Sequence, residues 1–283
     1  MANIYWYCHP AIIGMGITTF TIYKKRDIAE FSTFLVFFLF STCVSWIGEF
    51  TVLGLFNSYA YKTGIYTSPW AENILGHLLL NSTLYPSTAI LVAAYSLGYG
   101  WISLITVIYL LIEFLFLKLG IYEHHWWKNY MSVLAVFIYH IITKTWYKKV
   151  NNIRHGLWRI STFYFVGFVI LHYPIPILLL LGKQYYNVKW VQDMYLSSTL
   201  FIFIYQLVET LILVFFVCVL KKWFWKLVPF IVAFIGQSIL VNLDILVFRD
   251  GWNLFYTVLV YFISIITFIL IEKYSLNPKK TII

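Results

Sequence analysis

Charge is scarce in this chain of 283 residues. Asp, Glu, Lys and Arg together make up 11% of it, less than half of the roughly 25% usual in a soluble domain. With 61% of the residues hydrophobic, that shortage excludes a soluble fold. Cysteine is scarce too. Cys8, Cys43 and Cys218 are an odd number without a CxxC pair, so neither a disulfide framework nor a zinc knuckle follows, and no metal site is expected. There is no Gly-rich phosphate loop, GxSxG elbow, HExxH pair or paired DDxxD motif, which excludes transport driven by this chain's own nucleotide hydrolysis. No residue pattern specifies a cofactor. The N-terminal apolar stretch lacks a basic leader and a small-residue cleavage site, and reads as an uncleaved span.

What the chain does have is a succession of apolar runs of about 20 residues, each long enough to cross a hydrocarbon core of about 30 Å. Nine candidate helices follow, at about 3–23, 31–56, 72–95, 98–118, 130–147, 160–181, 193–220, 227–247 and 252–272. The expectation is an all-α polytopic membrane protein with a single transmembrane domain over 1–283. The count falls to eight if the first segment lies in the interface.

The net charge of +9 comes in short basic clusters between these runs. That placement fits positive-inside topology and membrane lipids as partners, and no nucleic-acid partner is expected. Fourteen of the 20 Lys and Arg fall on one side, mostly within 24–26, 144–159, 221–226 and 273–280. The other side receives Lys62, Lys118, Lys128, Lys183, Lys189 and Arg249. The basic side is expected in the cytoplasm of a plasma membrane, which puts the N-terminus outside and the C-terminus inside.

The outer loops contain a repeat. Gly64-Ile65-Tyr66 is followed by Trp70 and Asn73, and Gly120-Ile121-Tyr122 by Trp126 and Asn129. Each copy also follows a Glu-Phe pair, Glu49-Phe50 and Glu113-Phe114. Gly182, Trp190 and Asp193 echo the spacing, and Asp244, Gly251, Trp252 and Asn253 keep only the residue types. The pattern suggests a leading helix and four helical hairpins of one orientation, over 31–95, 98–147, 160–220 and 227–272. Trp and Tyr in such loops are also expected as an interfacial belt.

Carboxylates deep in a helix cost about 2.5–3.5 kcal/mol each on insertion scales, so Glu49, Glu113, Glu209 and Asp244 are the best functional leads. At helical spacing Glu49 shares a face with Ser45, and Glu113 with Tyr109 and Thr106. Asn73, His77, Asn81 and Tyr85 form a stripe of their own. Glu49, His77, Asn81, Glu113 and Asp244 fall in the outer half of the membrane and could line a pocket open to the outside; Glu209, beside Gln206, lies deeper as a candidate inner relay. The same residues could instead hold helices together through interhelical hydrogen bonds. His172-Tyr-Pro-Ile-Pro176 is expected to kink or break the sixth span. Glu123-His124-His125 reads as a solvated loop rather than a metal site.

The stretches from Glu113 to Trp127, Gly64 to Asn73 and Gly182 to Asp193 resemble a family of small, very hydrophobic multi-spanning membrane proteins from spore-forming Gram-positive bacteria. The resemblance implies a bacterial plasma-membrane protein and supplies no catalytic residues. Three functional readings follow from the residues. The first is binding or transport of a small solute or cation, the second an intramembrane enzyme acting on a lipid or isoprenoid, and the third a structural or sensory partner of another membrane protein.

Overall fold

The computed structural model describes residues 3–27, 29–150, 156–220 and 222–276. It is 77% helical and all-α in class, and divides into two compact units, Met1–Asn152 and Ile153–Ile283. Arg154, Lys221, Lys279 and Lys280, which count towards the orientation, lie outside the described residues.

The first unit opens with α1 (Ile4–Lys25) and α2 (Phe31–Glu49), the latter continued by a π-helical stretch, Phe50–Leu55. After β1 (Tyr59–Tyr61) come α3 (Pro69–Leu79), a π-helical stretch Leu80–Leu84, and α4 (Tyr85–Ala94). Helix α5 (Tyr99–Lys118), β2 (Tyr122–His124) and α6 (Asn129–Val150) complete it. Ser68 caps α3 through the Ala71 N–H, with Pro69 in the first helical position, where its missing N–H is harmless. Pro86 lacks a donor and would collide with the carbonyl one turn back; the wider π turn just before it absorbs that misfit. Helix α4 packs against α1, α2 and α6. Helix α1 also lies tight against the π stretch before α4, for a Cβ at Gly14 would come 2.9 Å from the Leu84 Cα.

The second unit contains α7 (Leu157–His172), α8 (Pro174–Leu180), β3 (Gln184–Tyr186) and α9 (Met194–Val214), the last continued by a π stretch, Phe215–Val219. A 3-10 turn at Trp223–Leu227 leads into α10 (Val228–Asn242), β4 (Leu246–Phe248) and α11 (Leu254–Tyr274). The expected break at the two prolines separates α7 from α8. Asp193 and Asn253 cap α9 and α11 by accepting from backbone N–H groups one turn in. Arg159 pairs with Glu272 at 2.9 Å and donates to the Glu272 carbonyl in the last turn of α11 and to the Ser275 and Leu276 carbonyls just beyond it.

Among the described residues six helical segments are long and apolar enough to cross a membrane: Phe31–Leu55, Tyr99–Lys118, Leu157–Leu180, Met194–Val219, Trp223–Asn242 and Leu254–Tyr274. The other three of the nine expected segments carry more polar side chains. Helix α1 holds His9 and three threonines, and α6 holds His140, Thr143 and four lysines or threonines beyond it. The run through α3 and α4 holds Glu72, Asn73, His77 and Asn81.

Both units follow one plan, with two helical hairpins whose loops pair as a short antiparallel ribbon. In the first, Tyr61 pairs with Tyr122, and in the second Tyr186 pairs with Leu246. Each of the four loops begins with a left-handed residue two positions before its strand: Asn57 (φ 46°), Gly120 (φ 68°), Gly182 (φ 67°) and Asp244 (φ 54°). Glycine, asparagine and aspartate are the residues that tolerate this conformation best. The strands, at three residues each, are too short to leave an alternating pattern in the sequence.

Two expectations are corrected here. Asp244 is not deep in a helix. It is exposed, and its place is the left-handed turn that ends α10. The two Gly-Ile-Tyr copies are also not equivalent. Gly120 precedes β2 and ends α5, whereas Gly64 follows β1, and the N–H groups of Gly64, Ile65 and Tyr66 all donate to the Glu72 carboxylate, at 2.6, 2.9 and 2.5 Å.

Candidate functional site

Within the first unit lies a cavity of about 320 Å³, at the low end of the usual range for small-ligand sites. Its position follows from the helix faces read in the sequence. Helix α2 turns Ser45 and Glu49 towards it, α5 turns Tyr109 and Glu113, and the α3 to α4 run contributes Asn81 and Tyr85. The β1–β2 ribbon adds Tyr59, Tyr61 and Tyr122, and α6 adds Ser132 and Tyr139. Among the described residues no Lys, Arg or His lines it.

The two carboxylates are held by different partners. Glu49 accepts from the Tyr59 hydroxyl at 2.7 Å and from the Tyr61 hydroxyl at 2.9 Å. Glu113 meets His124 Nε2 at 2.8 Å and accepts from Asn129 Nδ2 at 3.3 Å. Burial, reinforced by the charge of Glu49, holds the Tyr59 and Tyr61 phenols well above their usual range. Tyr122 is raised by burial, then by Glu113 and Glu49. All three therefore remain neutral donors. Their rings meet at 5.2 to 5.7 Å between centroids, with Trp127 edge-on to Tyr59 at 5.7 Å. Asn81, 2% exposed, accepts through Oδ1 from Ser45, while its Nδ2 makes no hydrogen bond of good geometry and has Glu49 as a polar neighbour.

A polar file continues from the cavity. Tyr109 and Thr88 hydroxyls are 2.9 Å apart, and Thr88 lies 3.0 Å from His140 Nε2. The Val136 carbonyl, an acceptor only, faces His140 Nδ1 at 2.7 Å, which places a proton on Nδ1.

The remaining sequence leads fall elsewhere. His77 packs its ring against Trp46 at 5.7 Å and does not line the cavity. Asn73 accepts from the Tyr61 N–H at 2.8 Å and fixes the strand to α3. Trp126, 45% exposed, donates to the Phe56 carbonyl, and Trp70 packs beside the buried cluster around Tyr7 and Tyr61. Glu209 belongs to the second unit. It is buried with neither oxygen hydrogen-bonded, and Tyr205, Tyr261 and Gln237 are its polar neighbours beyond bonding geometry. The space beside it is only about 10 Å³. Among the described residues no group of three His, Cys, Asp or Glu could hold a metal ion.

Sequence reasoning missed Glu72, which holds the loop after β1, and Tyr59 and Tyr61 of the ribbon, and it singled out Tyr122 only as a repeat residue. Glu72 had a usable signal, a carboxylate in the first turn of a helix. The tyrosines had none, since loop aromatics read equally well as an interfacial belt. No protein-family model matches this chain, and neither does any curated protein or solved structure.

Proposed function

We propose that this chain is a multi-pass plasma-membrane protein that binds, and carries across the bilayer, a small solute or cation held in the cavity of its first unit. One observation carries the reading: Glu49 and Glu113 stand on the wall of the same cavity, with no basic residue among its described lining. Two carboxylates in a low-dielectric enclosure, Glu113 with His124 against it and Glu49 held by phenol donors, attract a cation and repel an anion, and Glu49 is the one without a histidine at hydrogen-bond distance. The membrane setting is supported by the six apolar helices. In this reading all nine helical segments cross, with the N-terminus outside and the C-terminus in the cytoplasm, as the split of basic residues favours. The polar run through α3 and α4 crosses because α1, α2 and α6 shelter it.

The test is charge-selective labelling in purified protein from which Cys8, Cys43 and Cys218 have been replaced. Ser45→Cys is expected to react at least about tenfold faster with a cationic methanethiosulfonate than with its anionic analogue, as a few kcal/mol of cavity potential would produce. Glu49→Gln with Glu113→Gln should remove the preference. Thr106→Cys, buried outside the cavity, should stay unreactive until denaturation. Equal rates for the two reagents at Ser45→Cys, or no reaction there, would sink the reading.

A further inference from the structure

The walls of the cavity are not alike. Glu49, Tyr59, Tyr61 and Tyr122 stand at its ribbon end. Along one side stand Gly48 of α2 and Ala135, Ile138 and Ile142 of α6, all apolar and all exposed. The three α6 residues recur at i, i+3 and i+7, so they form a single stripe.

The packing of α2 on α6 explains why that side is open. At the far end from the ribbon the helices are closed by large rings: Phe40 stacks on Trp146 at 4.7 Å and Phe37 meets Tyr147 edge-on at 4.8 Å. Tyr139 then donates to the Ser41 carbonyl at 3.2 Å. Beyond that bond α2 presents Gly48, and no atom stands within 4 Å of where its Cβ would be. The two helices therefore meet at one end and leave a slot at the level of the carboxylates.

We infer that the cavity takes an amphiphile with a cationic amine head, which enters sideways from the hydrocarbon through the slot between α2 and α6. The inference rests on the cavity being a cation-binding site, and it names the ligand class. The head lies between Glu49 and Glu113 against the Tyr59, Tyr61, Tyr122 and Trp127 rings, where carboxylate charge and ring faces both favour a cation. Asn81 Nδ2, buried beside Glu49 and in no hydrogen bond of good geometry, is a donor for an oxygen on that head. The tail lies along Ile138 and Ile142, on an exposed apolar stripe of α6. An inorganic ion or a small hydrophilic amine would have to lose its hydration in hydrocarbon to use this slot, whereas an amphiphile already resides there.

The test uses the full chain in maltoside micelles, which contain no amine, and a dodecyltrimethylammonium probe with a photoactivatable diazirine in its chain. Crosslinks are expected on α6 around residues 138–142. Unlabelled dodecyltrimethylammonium should compete at least about tenfold better than tetramethylammonium, and dodecyl sulfate should not compete. Gly48→Phe, whose Cβ would have no neighbouring atom within 4 Å, puts its ring into the slot, and should reduce labelling about tenfold with an unchanged thermal midpoint. Gly16→Phe on α1, also in open space, should change neither. Tyr122→Phe should retain labelling and Tyr122→Leu reduce it about five- to thirtyfold, the worth of a desolvated cation–π contact. Equal competition by tetramethylammonium, or labelling indifferent to Gly48→Phe, would overturn the sideways amphiphile while leaving a cationic cavity in place. Labelling indifferent to Glu49→Gln and Glu113→Gln, with no charge preference at Ser45→Cys, would overturn both.

Discussion

The first unit keeps about 320 Å³ open between two carboxylates, and the second, built on the same plan, keeps about 10 Å³ beside one. The ribbons provide a common ruler. Tyr61 N–H donates to Asn73 and Tyr186 N–H to Ser198, each twelve residues on and each at 2.8 Å. Trp127 bonds Ser132 as Trp252 bonds Thr257, each five residues on. Measured from the paired strand residues, Glu113 corresponds to Gln237, Asn81 to Gln206 and Glu49 to Pro174. Both acidic positions of the cavity are thus neutral in the second unit. Its own carboxylate, Glu209, stands where the first unit has Leu84. There Tyr186, Phe168, Phe203 and Tyr261 are buried, and the Phe268 ring lies 3.1 Å from where a Gly167 Cβ would be. A shared backbone plan therefore does not make a site. Which positions carry charge, and whether rings interlock or stand apart, decides it.

The comparison breaks most sharply if the packed unit tolerates a hole. Phe268→Ala, at a fully buried ring edge-on to Phe163, is expected to cost about 3–5 kcal/mol. Tyr85→Ala, beside space that is already open, should cost about half of that, since less new cavity is made. Thermal unfolding of the two variants side by side is the measurement, and equal losses would mean that the first unit is no more open than the second.

A smaller effect sharpens the loop comparison. Glu72 accepts three backbone N–H groups, whereas its counterpart Ser197 accepts one, from Val188 at 2.8 Å. Glu72→Ala should therefore destabilise by about 3 kcal/mol and Ser197→Ala by about 1. Faster amide exchange should be confined to residues 64–66 in the former, and exchange spread through the whole unit would refute the local role.

The smallest effect concerns the exposed Lys62–Glu123 pair across the first ribbon, for which the second ribbon has Asn187 and Val247. Lys62, by hydrogen bond and then by charge, lowers the Glu123 carboxyl below its usual range. Its contribution is accordingly complete above the ordinary carboxylate pKa and is lost as the pH falls through the lowered value. Exchange of the β1 and β2 amides should rise slightly in that acid window, after correction for intrinsic rates. The rise should be absent in Lys62→Ala and from the β3–β4 ribbon.

Much of the fold was legible from hydropathy alone, and so were the faces that line the cavity. Spacing within single helices aligned Ser45 with Glu49 and Tyr109 with Glu113, and those faces do meet. It also put His77 on the Asn81 stripe, yet Trp46 takes His77 out of the site. Periodicity in one helix says nothing about which neighbour it meets. Asp244 was misread because a left-handed turn residue and a buried carboxylate look alike when apolar residues flank both. The Gly-Ile-Tyr copies were misread because equal words need not occupy equal backbone. One ends a helix, and the other wraps a carboxylate.

Among the described residues, helix α1 has no counterpart in the second unit. An even number of crossings returns a chain to the compartment it left, and an odd number does not. If each of the eight paired segments crosses, α1 alone sets whether the two ends of the chain address the same compartment or opposite ones. Adding or losing such a leading helix would change where an N-terminal segment is presented without inverting any part of the cavity.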